Sequence, residues 1–422
     1  MTDSNNKHLL EEEAKAFASS GRINYYDIVI DHGKGAVITD ADGNDYIDLL
    51  ASASSTNTGH AHPKVVKAIR DQAAKLIQYT PAYFANTQEA RLAPRLAKLA
   101  PMSGPVEVSW GLSGSDANDA IIKFARAYTG RQYLVAFTGA YHGSTYGSMS
   151  LSSISMNMSR KMAPLLPGVV KVPFPSPWER EPDESEEHFV DRFFREFMRP
   201  FETYLPAEET AVILMEAIQG DGGICKTPPA FMKKVYDFAK AHGILFAVDE
   251  INQGMGRTGK WWSIQNFDGI EPDLMSVGKS LASGLPLSAV VGRKEIMESL
   301  GAPAHLFTTA AANATLDVFE EEHLLERSAK LGQKAKAFFE AEKEKFDFIG
   351  DVRMYGLDGG IDIIDPATGQ GDTNATVKLM YRIFELGAII ISLRGNILRF
   401  QPPLVITEAQ LDQAFTMIDQ AF

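Results

Sequence analysis

The chain has 422 residues, 45% of them hydrophobic, so it can bury a substantial core and is long enough for two domains. Its formal net charge is −13, which repels phosphate backbones and anionic lipid surfaces, so neither nucleic acid nor a membrane is an expected partner. A single cysteine without clustered His or Cys residues predicts no metal site, and the lack of an apolar run near ~18 residues or of a signal-peptide core predicts a cytoplasmic protein.

The predicted elements begin with a hairpin. Residues 35–50 contain two strand-like runs around the turn Asp40-Ala-Asp-Gly-Asn44. The middle of the chain then repeats a short apolar run, a Gly or polar residue and a helical stretch, which is typical of a parallel α/β sheet. Several of these runs are apolar on both faces, as a covered sheet requires. The seven runs lie at residues 106–111, 133–137, 169–174, 211–218, 244–251, 274–280 and 288–293.

The end of the chain follows another pattern. After about residue 311, helical segments alternate with short strands at 360–364 and 388–392, and a final helix is predicted from Thr407. We therefore predict an α/β fold with two domains. Residues 59–310 form the large one, and residues 1–58 and 311–422 fold together as a smaller α+β domain.

A phosphate-type turn follows the first core strand. Residues 113–119, Ser-Gly-Ser-Asp-Ala-Asn-Asp, open a helix that extends through Tyr128. A strand, a tight turn at Gly114 and a helix start with Ser115 present free backbone N–H groups and the positive end of a helix dipole, which suit a phosphate. The alternative is an ordinary N-cap whose acidic residues complement the dipole.

Three polar residues fall at the carboxyl ends of successive predicted strands: Asp221, Asp249 and Lys279. In open α/β sheets the ligand crevice lies outside the carboxyl ends of the strands, so all three are expected at one site. The alternative is that strand-end charges are solvated or cap helices. Three in succession, on the same edge as a phosphate-type turn, favour the site.

The residue types fit an aldehyde cofactor with a pyridine ring. A partly desolvated lysine such as Lys279 can form an imine, and a carboxylate such as Asp249 keeps a pyridine nitrogen protonated so that the ring accepts electrons. Tyr141 follows the second core strand and can stack on a flat heterocycle, although it could equally be a core aromatic residue. We therefore predict pyridoxal 5′-phosphate (PLP) as the cofactor.

Six ordered motifs together resemble the class III (subgroup II) aminotransferase family. The likeness extends from Asp40 to Pro403, nearly the whole chain. The motifs are residues 113–119, Ala140-Tyr-His-Gly143, residues 216–223, residues 249–259, Gly278-Lys279 and Arg399-Phe-Gln-Pro-Pro403. The resemblance implies a fold type I PLP enzyme with a large seven-stranded, mostly parallel sheet. It also implies a homodimer, or a dimer of dimers, with active sites at the subunit interface.

The resemblance assigns cofactor roles to individual residues. It implies that Gly114 and Ser115 hold the phosphate, Tyr141 stacks on the ring, Asp249 pairs with the pyridine nitrogen and Lys279 forms the imine.

Two further cofactor positions lie in stretches of sequence that depart from the family pattern. Asn252 stands where the family usually has Gln, near the ring hydroxyl, and Thr308 matches the threonine that reaches the partner subunit's phosphate. The family's Gly-Asn-Pro is absent beside Thr308, so either the chain has lost this stretch or the printed sequence omits it. We favour an omission, because loss of part of a phosphate site should weaken cofactor binding.

The substrate is expected to be an amino acid with an apolar side chain. Members of the family that act on γ-aminobutyrate or ornithine typically carry Arg where this chain has Ser144. Without that guanidinium, a second carboxylate has no bidentate partner, which leaves Arg399 for the α-carboxylate.

Asp221 bears on the reaction, because many relatives have Glu at this position. That Glu can pair with the arginine equivalent to Arg399, and the shorter Asp221 could be freed from it for proton transfer. Racemisation removes a proton from one face of Cα and returns one to the other, so Lys279 and Asp221 are the candidate pair. An ordinary Asp pKa of about 3.9 makes a poor base, so burial would have to raise the pKa, or water or Tyr141 would share the work.

Within the family, the chain is most similar to the branch of amino-acid racemases and isoleucine 2-epimerases. That closer likeness is carried by Asn24-Tyr-Tyr26, Leu49-Leu-Ala-Ser-Ala-Ser54 and Tyr141-His-Gly-Ser-Thr-Tyr-Gly147. The alternative is an aminotransferase, in which Lys279 moves the proton from Cα to the cofactor. A non-catalytic PLP-binding module is disfavoured, because it needs no electron sink.

Overall fold

The computed structural model describes residues 4–77, 80, 83–300 and 310–422. Thr308, predicted near the partner subunit's phosphate, lies outside these residues. In the described part of the chain, no helix is long and apolar enough to cross a membrane. The same residues contain no cluster of three or more His, Cys, Asp or Glu side chains that could hold a metal ion.

A seven-stranded sheet forms the centre of the molecule, as predicted. From one edge to the other its strands are Val106–Gly111, Ser288–Arg293, Leu274–Val277, Leu245–Asp249, Thr210–Met215, Tyr133–Phe137 and Val169–Val172. Ser288–Arg293 runs antiparallel to both of its neighbours, while the other pairs are parallel. Every residue of Leu245–Asp249 is buried, which agrees with a sheet covered on both faces.

Four of the predicted strand runs extend beyond the strands themselves. The runs 169–174, 211–218, 244–251 and 274–280 all continue past the last residue of the strand into the loops that leave the sheet, because local sequence does not mark where pairing with the neighbouring strand stops. Ile218–Gln219 belongs to a separate two-stranded ribbon with Cys225–Lys226. The carboxyl ends of these strands therefore turn earlier than their apolar pattern indicates.

The two ends of the chain meet in a second sheet. Ile30–Lys34, Val37–Asp40 and Asp45–Asp48 form an antiparallel ribbon, which contains the predicted hairpin. Asp45–Asp48 also pairs in parallel with Ala388–Ile389 near the other end of the chain. The predicted strand 388–392 is thus divided, because Ile391–Leu393 joins a third sheet instead.

The third sheet carries the C-terminal arginine motif. Its strands lie in the order Ile349–Met354, Gly359–Ile363, Ile397–Phe400 and Ile391–Leu393, and all three pairs are antiparallel. The division of the chain into domains at residues 58 and 310 stays a prediction.

Helices cover the sheets, and the final one begins as predicted, with Thr407 as its N-cap. The right-handed α-helices in the described part of the chain are Asn5–Glu13, Pro63–Lys75, Thr87–Leu99, Gly114–Thr129, Tyr146–Leu151, Glu186–Thr203, Pro229–Ala241, Lys294–Met297, Ala310–Glu321, Leu324–Lys345, Thr373–Glu385 and Glu408–Ala421. Residues 51–54 make one further turn, but all four have positive φ, so this turn is left-handed.

Candidate active site

A cavity of about 230 Å³ brings most of the predicted site residues together. It lies at the carboxyl ends of the central parallel strands, where the ligand crevice of an open α/β sheet is expected. The predicted residues that line it are Gly114, Ser115, Tyr141, Asp221, Asp249, Asn252 and Lys279. They are joined by Ser113, His142, Gly143, Glu216 and Ile251.

Neighbouring strands deliver Asp249 and Lys279 to the cavity. Asp249 is the last residue of its strand and pairs in register with Ser276 of the next strand, three residues before Lys279. The backbone of Lys279 has φ +45°, in the left-handed region that costs a non-glycine residue on the order of 1–3 kcal/mol. The surrounding fold therefore holds this lysine in a conformation that local sequence does not favour.

Asp249 is a buried carboxylate, with 4% of its surface exposed. Its Oδ2 accepts a hydrogen bond from Asn118 Nδ2 at 2.8 Å and lies 2.8 Å from His142 Nδ1, while Oδ1 accepts from the Ile251 amide at 3.0 Å. Burial opposes ionisation of Asp249, but the hydrogen bonds and positive potential around it outweigh this effect and lower its pKa. Asp249 is thus held as a carboxylate although it is almost fully shielded from solvent.

Lys279 is in the opposite electrostatic situation. Desolvation by the surrounding protein lowers the pKa of its amine, and the nearby positive charge of Arg399 acts in the same direction, whereas Asp221 raises the pKa. Within the described part of the chain, its Nζ has no hydrogen-bond or ion-pair partner. This amine is therefore more easily deprotonated than an exposed lysine and is free to react.

The predicted phosphate-type turn has the geometry of a helix start with an adjoining loop. Ser113 is the N-cap of Gly114–Thr129 and forms a capping box with Asp116, and the first N–H groups of a helix have no partner within the helix. The Ser115 hydroxyl accepts a hydrogen bond from the Ser144 amide at 3.1 Å, which leaves its own proton free to be donated. A Cβ on Gly143 would lie 2.8 Å from Ser115 Cα, so only glycine permits this close approach.

Asp221 remains paired with Arg399, contrary to the expectation that its shorter side chain would be freed. Arg399 Nη1 donates to Asp221 Oδ1 at 2.9 Å, because the loop that follows Ile218–Gln219 brings Asp221 up to the strand Ile397–Phe400. The pairing occupies one oxygen only, and Oδ2 has no hydrogen-bond partner among the described residues. The Asp221 side chain is 29% exposed, so burial is incomplete at this carboxylate.

Tyr141 and Glu216 line the same cavity as Lys279. The Tyr141 amide donates to Glu216 Oε1 at 3.0 Å, and the Gly220 amide donates to Glu216 Oε2 at 2.8 Å. Burial raises the pKa of Glu216 to about 7. Burial and the negative charge of Asp221 raise the pKa of the Tyr141 phenol, so near neutral pH it keeps its proton.

The residues of this cavity fit PLP. Oδ1 of Asp249 accepts one backbone N–H in the described structure, so it can also accept a pyridine N–H. The unpartnered amine of Lys279 suits an aldehyde, and the helix start at Gly114 and Ser115 suits a phosphate. All of these groups line one cavity.

Several residues that support the site carried too weak a signal to be assigned from sequence. Asn118, His142 and Gln401 stand inside the recognised motifs, but their roles depend on partners far along the chain. Asp358, which bonds to Gln401, stands in no recognised motif. Arg399 contacts Asp221 and Asn252 behind the cavity wall, rather than forming part of the lining itself.

Comparison with known proteins gives consistent matches over nearly the whole chain. The family model described as Aminotransferase class-III matches residues 18–422. The chain is 60% identical to the isoleucine 2-epimerase of Lentilactobacillus buchneri, over 98% of this chain and 94% of that protein. It is 39% identical to the leucine/methionine racemase of Thermococcus litoralis, over 98% and 95% of the two chains. An omega transaminase from Pseudomonas jessenii, solved in complex with PMP, is similar in fold with a TM-score of 0.88 and 27% identity, over 93% of this chain and 92% of that one.

Proposed function

We propose that this chain, which belongs to the class-III aminotransferase family, inverts the configuration at Cα of apolar amino acids as a racemase or 2-epimerase. It is a PLP-dependent enzyme, as predicted from its motifs. When bound, PLP supplies an aldehyde that condenses with amines and a ring that takes up the electrons released at Cα. The protein supplies the groups that bind, orient and move protons.

Five residues hold the cofactor in this proposal. Gly114 and Ser115 bind the phosphate at the helix start, Asp249 keeps the pyridine nitrogen protonated, Tyr141 stacks on the ring, and Asn252 lies near the ring hydroxyl. The buried contacts of Asp249 with Asn118 and His142 support its role, because they stabilise a carboxylate that would otherwise be costly to desolvate.

Two acid–base groups in one cavity support Cα inversion most strongly. The Nζ of Lys279 removes the Cα proton from one face, while Oδ2 of Asp221 passes a proton from solvent to the other face. The substrate is inverted, and solvent then takes the proton from Lys279, which restores both groups. In the reverse direction Asp221 removes the Cα proton and Lys279 delivers one. Because Asp221 is only partly buried, solvent can reach it for this step.

Arg399 and Ser144 support an apolar α-amino acid as the substrate. Arg399 is 2% exposed and lies directly behind Asp221, where its guanidinium can bind the α-carboxylate. At position 144 a serine provides no guanidinium for a second carboxylate. The names of the relatives, an isoleucine 2-epimerase and a leucine/methionine racemase, agree with side chains of this kind.

The test is to incubate the holoenzyme with L-isoleucine in heavy water without a keto acid. We expect D-alloisoleucine carrying deuterium at Cα. Chiral chromatography coupled to mass spectrometry measures both the isomer and the label. If no labelled D-alloisoleucine accumulates with L-isoleucine or with a panel of other apolar amino acids, inversion is the wrong reaction.

An aminotransferase is the second candidate, and membership of an aminotransferase family favours it. In that reaction Lys279 moves the proton from Cα to the cofactor, and the amino group stays on the enzyme until a keto acid accepts it. It predicts one keto acid product per amine transferred and a strict need for an acceptor. A small amount of amino-group transfer observed beside inversion would not distinguish the two functions.

The assembly and the location are part of the proposal. The family resemblance supports a homodimer or a dimer of dimers, with Thr308 contacting the phosphate held by the partner subunit. We further propose a cytoplasmic location. The acidic composition supports an enzyme that binds neither nucleic acid nor membranes.

A further inference from the structure

A buried carboxyl group, Asp358, lies behind the arginine that is proposed to bind substrate. It directly precedes the strand Gly359–Ile363, and Gln401 directly follows the strand Ile397–Phe400. These strands are antiparallel and Gly359 pairs with Phe400, so Asp358 and Gln401 face each other. Neither residue is exposed.

Gln401 connects Asp358 to the active site. Its Oε1 accepts a hydrogen bond from Arg399 Nε at 2.6 Å, and its Nε2 donates to Asp358 Oδ1 and, at 3.3 Å, to Asn252 Oδ1. A guanidinium can only donate and an ionised carboxylate can only accept, so these two neighbours determine which way the Gln401 amide points.

The orientation of Gln401 in turn determines that of Asn252. The Asn252 Oδ1 atom accepts hydrogen bonds from Gln401 Nε2 and, at 3.2 Å, from Arg399 Nη2. Because its oxygen faces this pair, the NH₂ group of Asn252 is left for the cavity that the residue lines. The side chain thus offers a donor, rather than an acceptor, toward a ligand.

The same contacts hold Arg399 by three of its five N–H groups. Nε bonds to Gln401, Nη1 to Asp221 and Nη2 to Asn252. Two N–H groups remain for a ligand carboxylate, and the plane of the guanidinium is fixed before the ligand arrives. Loss of the Nε contact would allow that plane to rotate.

A packing role alone does not explain a carboxyl group at position 358. The Oδ2 atom of Asp358 is buried without a hydrogen-bond partner in the described part of the chain. Burial raises the pKa of Asp358 to about 6, although Gln401, Arg257, Arg399 and Gln253 all act to lower it. An apolar side chain would fill the space without this cost, so the acceptor that Asp358 provides to Gln401 is the feature that distinguishes it.

We propose that Asp358 is a positioning residue, which acts through Gln401 to orient Arg399 for the substrate carboxylate and Asn252 for the cofactor. The inference rests on the proposed function in one respect, the binding of a carboxylate by Arg399. It adds a residue with no direct contact to the cavity as a determinant of substrate affinity.

The test measures carboxylate binding without catalysis. The ligand is 3-methylpentanoate, which has the carbon skeleton of isoleucine and no amino group, and its dissociation constant for each holoenzyme is measured by calorimetry. Asp358→Leu removes the acceptor, whereas Asp358→Asn retains an acceptor oxygen. We expect the leucine variant to bind on the order of ten- to hundredfold more weakly, as for loss of a hydrogen bond to a charged group, and the asparagine variant to bind within about threefold of the wild type.

The kinetics provide a second readout. In the leucine variant we expect KM for the amino acid to rise with the dissociation constant, while kcat changes by less than about threefold. Gln401→Leu interrupts the same connection and should reproduce both effects, so the inference can be tested even if Asp358→Leu does not fold. Asp362→Leu is the matched control, because Asp362 is a mostly buried carboxylate on the adjoining strand whose partner is Arg353. It should leave the binding of 3-methylpentanoate unchanged.

Arg399→Lys separates the two ways in which the idea can fail. If this variant binds 3-methylpentanoate as the wild type does, the carboxylate role of Arg399 is wrong, and the positioning role fails with it. If it binds more weakly while the Asp358→Leu and Gln401→Leu variants do not, only the positioning role of Asp358 is overturned. The positioning role is supported if Arg399→Lys, Asp358→Leu and Gln401→Leu all bind 3-methylpentanoate more weakly. Asp358→Asn should then bind it nearly as well as the wild type.

Discussion

Replacing Asp221 by Asn isolates the second proton-transfer group. The substitution keeps the shape of the side chain and retains an oxygen at the position of Oδ1, where Arg399 Nη1 now donates at 2.9 Å. It removes the ability to exchange a proton at Oδ2. We therefore expect a loss of catalysis with little change in the architecture of the site.

The expected size of each effect follows from the typical contribution of such a group and from the exposure of Asp221. General acid–base catalysis contributes ~10²–10⁴-fold to a rate, so kcat for inversion should fall by this factor, which raises the barrier by about 3–5 kcal/mol. The Asp221 side chain is 29% exposed, so losing its ion pair with Arg399 should lower the free energy of unfolding by no more than about 1 kcal/mol.

The assay follows deuterium from heavy water into both isomers. L-isoleucine and D-alloisoleucine are incubated separately with Asp221→Asn holoenzyme. Lys279 still exchanges the proton on its own face of Cα, so one of the two substrates should gain deuterium with retained configuration while the other isomer does not accumulate. Asp351→Asn is a suitable control, since Asp351 also pairs with a buried arginine, Arg353, at 2.8 Å. That variant should invert its substrate at the normal rate.

One result would refute the assignment of Asp221. If Asp221→Asn forms the inverted isomer at a rate close to that of the wild type, another group delivers the second proton. Tyr141 is then the next residue to substitute, because Asp221 contributes to its raised pKa and it lines the same cavity.

Three further predictions concern the cofactor and the buried carboxyl group. Lys279→Ala should abolish turnover, and borohydride should no longer attach the cofactor covalently, as mass spectrometry can determine. Gly143→Ala should weaken PLP binding in an absorbance titration, because its Cβ would lie 2.5 Å from Ser115 Oγ at a residue with φ +129°; Gly130→Ala, whose Cβ has no atom within 4 Å, should bind PLP normally. Asp358→Asn should be more stable than the wild type near pH 7 by up to about 3 kcal/mol, and the difference should vanish below about pH 4. The folded-state pKa of about 6 means that folded Asp358 keeps its proton where the unfolded chain has lost it, so wild-type stability falls as pH rises from about 4 to 6. Melting curves across this range should show the gap opening with rising pH, and a constant gap would contradict it.

Much of the site was predictable because its signals are local. Asp249 and Lys279 follow apolar runs that form strands, and the carboxyl ends of parallel strands in an open sheet meet at one edge whatever the rest of the chain does. The phosphate-type turn at residues 113–115 is likewise a property of a few consecutive residues, since a helix start always leaves N–H groups unpaired. The family motifs then identified the cofactor.

The sequence by itself therefore determined the central sheet and the cofactor, and it predicted most of the residues that line the cavity. The tertiary structure decided the arrangement behind them. Asp221 stays with Arg399 across 178 residues, and Asp358 reaches Gln401 because one strand begins beside the end of its antiparallel neighbour. The tertiary structure also imposes a left-handed backbone on Lys279. These features depend on the register of distant strands and on desolvation by the assembled core, and no short stretch of sequence encodes either of them.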